Sequence, residues 1–169
     1  MTSFRRIALF GECMIELRGQ AFGAMQQGFG GDTLNTAIYL ARLCRDRDLR
    51  VSYATALGDD PFSAHMETAW RAEGIDTSLV RRFDDRLPGL YAIQVDAAGE
   101  RHFSYWRDAS AVRGYFDASK TPLEDAADEL AALLLSGISQ AILPPDGRER
   151  LLADMARACA KGGKAPFDN

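Results

Sequence analysis

Apolar positions along this chain come in two kinds of run, short and continuous or spaced at helical period. Their alternation predicts an α/β fold. Ile7-Ala8-Leu9-Phe10 is a continuous apolar run that stops at Gly11-Glu12, the pattern of a buried parallel strand. Met14-Ile15-Glu16-Leu17 follows as a second short strand, and Gly19 to Gly31 reads as a loop. From about Asp32 to Arg45, Leu34, Ile38 and Ala41 recur at helical spacing with Ala37, Leu40 and Cys44 beside them, which predicts a helix capped by Asp32 or Thr33. Val51 to Leu57 is the next strand, closed by Gly58-Asp59-Asp60-Pro61. A helix from about Pro61 to Glu73 then carries Phe62, Met66, Ala69 and Trp70 on one face, with Gly74 as its C-cap.

Between Leu79 and Arg107 the pattern switches to the alternation of exposed β-structure. Tyr91, Ile93 and Val95 share one face; Gln94 and Asp96 lie on the other. Asp96-Ala97-Ala98-Gly99-Glu100 fits a three-residue hairpin loop with Gly99 in the left-handed position. That loop sets Ile93 opposite Phe103 and Tyr91 opposite Tyr105, with Arg107 one step further on the same face. Beyond the hairpin, Leu123 to Leu133 reads as helical and Leu133 to Ser136 as a strand ending at Gly137-Ile138-Ser139. Pro145-Asp146 opens a helix with Leu151, Leu152, Met155, Ala158 and Cys159 on its face, and Gly162-Gly163 ends it. A last strand runs from Lys164 to Asn169, although Pro166 cannot donate within a sheet.

Composition narrows the classes. At 169 residues, 47% apolar and 26% charged, the chain can build a real core. A net charge of -4 argues against nucleic acid as a partner. No apolar run approaches the length of a membrane span, and the stretch near Met1 is too short for a signal peptide. Cys13, Cys44 and Cys159 are scattered and fit a reducing cytoplasm. With only His65 and His102 and no Cys-x-x-Cys, no metal-ligating set is expected.

Gly30-Gly31-Asp32-Thr33-Leu34-Asn35 is the first candidate site. The glycines admit a ligand close to the backbone, and a carboxylate and an amide sit around the same point. Taken alone, the segment is equally a tight turn with a helix cap. It is not a dinucleotide fingerprint, because the third glycine's position is Thr33, and it is not a P-loop, because Gly163-Lys164 is followed by Ala165. The second candidate is the Tyr91/Tyr105/Arg107 surface. Its plain alternative is a hairpin packing its aromatic face on the main domain. A guanidinium on such a face needs an anionic partner or water, and arginine grips carboxylates through paired hydrogen bonds. Gly137-Ile138-Ser139-Gln140-Ala141 approaches a nucleophile elbow, but the histidine that such a triad requires does not follow it.

Gly30-Gly31-Asp32-Thr33-Leu34-Asn35-Thr36-Ala37 resembles the N-terminal sugar-binding signature of the ribokinase-like (PfkB) carbohydrate kinases. Within them the 2-keto-3-deoxygluconate kinases are most similar, through Gly11-Glu12-Cys13-Met14-Ile15-Glu16-Leu17, Leu87-Pro88-Gly89-Leu90-Tyr91, Gly99-Glu100-Arg101 with Tyr105-Trp106-Arg107, and Ser136-Gly137-Ile138-Ser139 with Ala141-Ile142-Leu143. The resemblance implies a three-layer αβα sandwich, of which this chain is the N-terminal half, with a small β-sheet lid from about 12–29 and 79–108. It implies that Gly31, Asp32 and Asn35 hold sugar hydroxyls, while Tyr91, Tyr105 and Arg107 hold the acid end and adjacent oxygens. It implies transfer of the γ-phosphoryl group of ATP to a primary hydroxyl with Mg2+ as counter-charge, and a homo-oligomer formed through the lid. Neutral-sugar phosphorylation and a non-catalytic sugar-binding module are the alternatives. The family's Gly-Ala-Gly-Asp segment, which carries its anion hole and aspartate base, does not occur here. No catalytic residue and no ATP site are therefore expected in this chain, which reads as an N-terminal fragment.

Overall fold

The computed structural model describes residues 5–168. Its elements in chain order are β1 (Arg5–Phe10), β2 (Met14–Gly19), β3 (Met25–Gly30), α1 (Asp32–Leu43), β4 (Leu49–Gly58), α2 (Pro61–Ala72), β5 (Val80–Phe83), β6 (Leu90–Val95) and β7 (Arg101–Trp106). They continue with α3 (Pro122–Ala126), β8 (Leu130–Ser136), α4 (Gly137–Ala141), α5 (Pro145–Ala160) and β9 (Phe167–Asp168). Five strands form one sheet in the order β5-β4-β1-β8-β9, with every pairing parallel. Four form a second sheet in the order β3-β2-β6-β7.

The parallel sheet is buried on both faces. Along β1, Leu9 packs with Leu34 and Ala37 of α1 and Met66 and Trp70 of α2. Ala8 and Phe10 point the other way, into a core with Leu123 of α3 and Leu151 and Ala158 of α5. This alternation makes three layers, αβα, as expected. Tyr53 and Trp70 meet edge to face at 5.3 Å on one side, and Phe10, Tyr115 and Phe116 cluster on the other at 5.1–5.7 Å. Each such aromatic contributes a few kcal/mol through burial, on the order of 1.5–3.

Local chemistry fixes the boundaries. Asp60 caps α2 by accepting from the Phe62 and Ser63 N–H groups at 2.9 and 3.0 Å. Gly74, at φ 86°, follows α2, donating to the Arg71 carbonyl while Ile75 donates to Trp70, so it lies one residue past the cap position expected for it. The cap of α1 is Gly31, not Asp32 or Thr33. Asp32 is already helical, its side chain accepts from the Thr33 N–H, and the Thr33 hydroxyl turns inward to Tyr53 at 3.2 Å.

Several expectations need correction. The stretch expected as a loop contains β3, paired antiparallel with β2. Val80–Phe83 falls inside the second expected lid range but pairs with β4 in the main sheet. The helix expected over 123–133 ends at Ala126; a single 3-10 turn leads into β8 at Leu130. Phe62, Leu152 and Cys159, expected on buried helix faces, are exposed. Asp154 is buried instead, at 2% exposure. Ser139 is buried within a capping box with Ser136, and its hydroxyl donates to the Phe10 carbonyl at 2.8 Å, which fastens α4 to the end of β1. Pro166 joins the sheet as an acceptor only, from the Leu135 N–H at 3.4 Å. The expected end of the last strand, Asn169, lies outside the described residues.

Candidate functional site

The second sheet is built from two hairpins whose central strands, β2 and β6, run parallel. In the β6–β7 hairpin Ile93 stands opposite Phe103 and Tyr91 opposite Tyr105, the register expected from the loop. Gly99 has φ 85°, so the glycine does sit in the left-handed position. Across the sheet, Gly28, Glu16, Tyr91 and Tyr105 form one row. Tyr91 and Tyr105 rings lie 6.0 Å apart, and the Arg107 guanidinium lies 5.9 Å from the Tyr105 ring centre.

Glycine 30 joins this surface to the loop. A Cβ added there would stand 2.7 Å from the Tyr91 hydroxyl, so the phenol lies directly over the loop's first glycine. The Tyr91 hydroxyl donates to Glu16 Oε2 at 2.5 Å. Burial and that carboxylate together push the Tyr91 phenol well above its ordinary range, so it stays a neutral hydrogen-bonding group. Gly31 is equally constrained, since a Cβ would lie 2.1 Å from the Glu12 carbonyl oxygen.

Arg107 has its anion inside the protein. Its guanidinium is in ionic contact with Glu12, a side chain on the turn after β1 that is only 3% exposed. The Ser110 hydroxyl lies beside the same carboxylate. Burial pushes the Glu12 carboxyl up, and the attraction of Arg107 opposes it. Gly89 closes the far side, where a Cβ would approach Glu12 Oε1 to 2.6 Å and Arg107 Cβ to 3.1 Å.

The structure therefore brings Tyr91, Tyr105 and Arg107 onto one surface and sets Gly30 against it, while Gly31 packs on the Glu12-Cys13 backbone. Asp32, half-buried, and Asn35, exposed, lie on the first turn of α1, without a hydrogen bond to the hairpin among the described residues. An open cavity of about 460 Å3 touches Leu87, Pro88, Tyr105, Trp106 and Arg107 but does not reach the glycine loop. Glu12, Glu16 and Gly89 were missed as site residues. Glu12 reads as the end of a strand, yet an acid set between Phe10 and Met14 is a signal for a buried counter-charge. No group of three or more His, Cys, Asp or Glu side chains among the described residues could hold a metal. The residues present thus offer polar and cationic contacts to a small polar ligand. No helix among them is long and apolar enough to cross a membrane.

A glycine-rich loop at a helix start, facing a small four-stranded sheet beside an αβα core, defines a sugar-kinase half-fold, and the family comparison agrees. The chain belongs to the pfkB family of carbohydrate kinases, whose model matches residues 5–169. Among particular proteins it is 48% identical over 168 residues to a 2-dehydro-3-deoxygluconokinase of Escherichia coli strain K12, covering 98% of this chain and 53% of that protein. The protein of the same description from Haemophilus influenzae is 44% identical over 168 residues, with the same shares covered. The chain thus spans about half the length of the curated relatives it matches. Among solved structures, a fructokinase from Xylella fastidiosa superposes with a TM-score of 0.80 at 25% identity, over 97% of this chain and 50% of that one. A 2-dehydro-3-deoxygluconokinase from Thermotoga maritima gives 0.80 at 22% identity, over 96% and 50%. The fold is ribokinase-like.

Proposed function

We propose that the intact protein carrying this chain phosphorylates a sugar acid, 2-keto-3-deoxygluconate, and that residues 5–168 supply the sugar-binding wall. The observation that carries this reading is Arg107 on the Tyr91/Tyr105 surface, set against the Gly30-Gly31 loop through the Tyr91 hydroxyl. Curated relatives at 44–48% identity bear the name of that kinase, which supports it.

In this reading the Arg107 guanidinium takes the substrate carboxylate through paired N–H groups. Tyr91 and Tyr105 hold adjacent oxygens and cover one face of the sugar. The Gly31 backbone, Asp32 and Asn35 take hydroxyls. The four-stranded sheet acts as a lid that excludes water from the reacting hydroxyl. ATP, with Mg2+ as counter-charge, is the proposed phosphoryl donor, and residues 5–168 are proposed to contribute the sugar side of the site only. The exposed β7 edge, with Phe103, Tyr105 and Trp106 all about half exposed, supports pairing of lids between two copies of the protein.

The test is a substrate panel on the intact protein, sugar acids against neutral sugars such as fructose and ribose, with an Arg107→Ala variant. Loss of the guanidinium is expected to weaken sugar-acid binding by roughly 1.5–3 kcal/mol, about 10- to 150-fold. Unchanged affinity in that variant removes the carboxylate assignment, and preference for neutral sugars removes the sugar-acid reading. Sedimentation of the intact protein as a monomer removes the lid-pairing proposal.

A further inference from the structure

Glu12 presents a charge problem that carboxylate binding must solve. It lies 5% exposed in the turn between β1 and β2, in contact with Arg107 and closed in by Gly89. The charged and titratable groups around it are Arg107 and Arg113, with Cys13 and Tyr53 behind it and the Ser110 hydroxyl beside it. Arg113 is not free to turn toward a ligand, because its guanidinium donates to the Ile142 carbonyl at 2.8 Å. Cys13 and Tyr53 are both buried and held neutral by burial. Without ligand, the local balance is one buried carboxylate against Arg107 in direct contact, with a weaker attraction from Arg113.

A sugar acid arriving at Arg107 adds a second carboxylate to the same guanidinium and displaces the water that would screen it. Two carboxylates sharing one cation in a desolvated site do not both stay ionised; one of them takes a proton. The sugar acid is the stronger acid and gains the paired guanidinium contacts. Glu12 is the buried partner, and Arg107 is the one guanidinium in contact with it among the described residues.

We infer that Glu12 is a positioning residue that makes sugar-acid binding proton-linked: it holds Arg107 while the site is empty, and takes up one proton from solvent when the substrate carboxylate takes its place on the guanidinium. The proton enters on a Glu12 carboxylate oxygen and no covalent bond changes. The neutral acid can then donate its O–H to the ligand carboxylate or to the Ser110 hydroxyl beside it. Burial already raises the Glu12 carboxyl, which brings uptake closer to neutral pH. The inference rests on the reading of Arg107 as the carboxylate-binding residue.

Calorimetric titration of the intact protein with 2-keto-3-deoxygluconate, repeated in buffers of different ionisation enthalpy, reads the number of protons taken up. At about pH 7–8 the expected value approaches one proton per sugar acid bound, and Kd rises by up to about tenfold per pH unit over the range where free Glu12 is ionised and bound Glu12 is not. A Glu12→Gln variant, neutral at every pH, is expected to bind the sugar acid with no proton uptake and a flat pH profile. The wild-type buffer series needs no variant, so it decides the matter even if Glu12→Gln fails to fold. Sugar-acid binding that is lost in Arg107→Ala yet takes up no proton in the wild type overturns this inference and leaves the functional reading standing. Uptake that persists in Glu12→Gln overturns it as well. Absence of sugar-acid binding overturns both.

Discussion

Replacing Asp154 by asparagine is expected to stabilise the protein at pH 8 and to change little near pH 4. Asp154 is on α5, 2% exposed, and its Oδ2 has no hydrogen-bond partner among the described residues. Its nearest cation, Arg157, reaches Oδ1 at 3.4 Å but is shared with Asp128 at 3.0 Å. Arg150 is committed elsewhere, to Glu124 at 2.7 Å and to the Ala118 carbonyl at 2.8 Å. Burial first, and then the Glu124 carboxylate, push the Asp154 carboxyl from its ordinary 3.8 up to about 7. The sign follows from proton counts. Between 3.8 and about 7 the folded chain holds a proton on Asp154 that the unfolded chain has lost, so stability falls as pH rises through that window. A shift of about three units at about 1.4 kcal/mol each sets a ceiling near 4 kcal/mol. Arg157 is partly exposed and can turn toward Asp154, and water can follow it, so a loss of about 2–4 kcal/mol is expected. Urea denaturation followed by circular dichroism, for wild type and Asp154→Asn at about pH 4 and pH 8, measures it. The reasoning is wrong if wild-type stability does not fall across that window, or if the asparagine variant falls with the same slope.

Three further outcomes follow from the geometry. Gly30→Ala places a methyl 2.7 Å from the Tyr91 hydroxyl, so Tyr91 must leave Glu16; titration calorimetry should show sugar-acid affinity down about tenfold with a small change in Tm, and unchanged affinity would disprove the juxtaposition. Asp60→Ala removes the α2 cap and its bond to the Ser63 hydroxyl, at a cost of about 1–2 kcal/mol in a urea titration. A thiol reagent such as Ellman's should label exposed Cys159 quickly and leave Cys13 untouched until unfolding, because Cys13 is buried and burial pushes its thiol well up.

What the sequence made legible were the features that local chemistry decides. The hairpin register follows from one loop length and one glycine, so Tyr91 and Tyr105 could be paired before any coordinates. The α/β layering follows from continuous apolar strands alternating with amphipathic helices, while the three-layer sandwich came from the family resemblance. β3 was hidden because Met25-Gln26-Gln27-Gly28-Phe29-Gly30 carries two glycines and two glutamines; its strand state comes from the β2 edge it pairs with, not from its own propensity. Val80–Phe83 reads like lid because two arginines interrupt it, and it is only the edge of the main sheet. Asp154 was legible and overlooked: Gly147, Leu151, Asp154 and Ala158 share one face of α5 at helical period, but an aspartate reads by type as a surface residue. For the site, sequence identified Arg107 as needing an anion. That the anion includes Glu12 depends on the turn after β1 meeting the end of β7, a contact only the tertiary fold makes.

The parallel pairing of β2 with β6 has a mechanical consequence. Both hairpins leave the main body at the same end of the small sheet, through residues 11–13, Gly31, 84–89 and Arg107, and both turns, at 20–24 and 96–100, lie at the other. The sheet is a cantilever with four covalent roots in a row and two free tips. Bending displaces a cantilever most at its tips and least at its roots. Gly30, Gly31, Tyr91, Arg107 and Glu12 all sit at or next to the roots. The tips can sweep through solvent while the spacing of the groups proposed to hold the ligand is preserved.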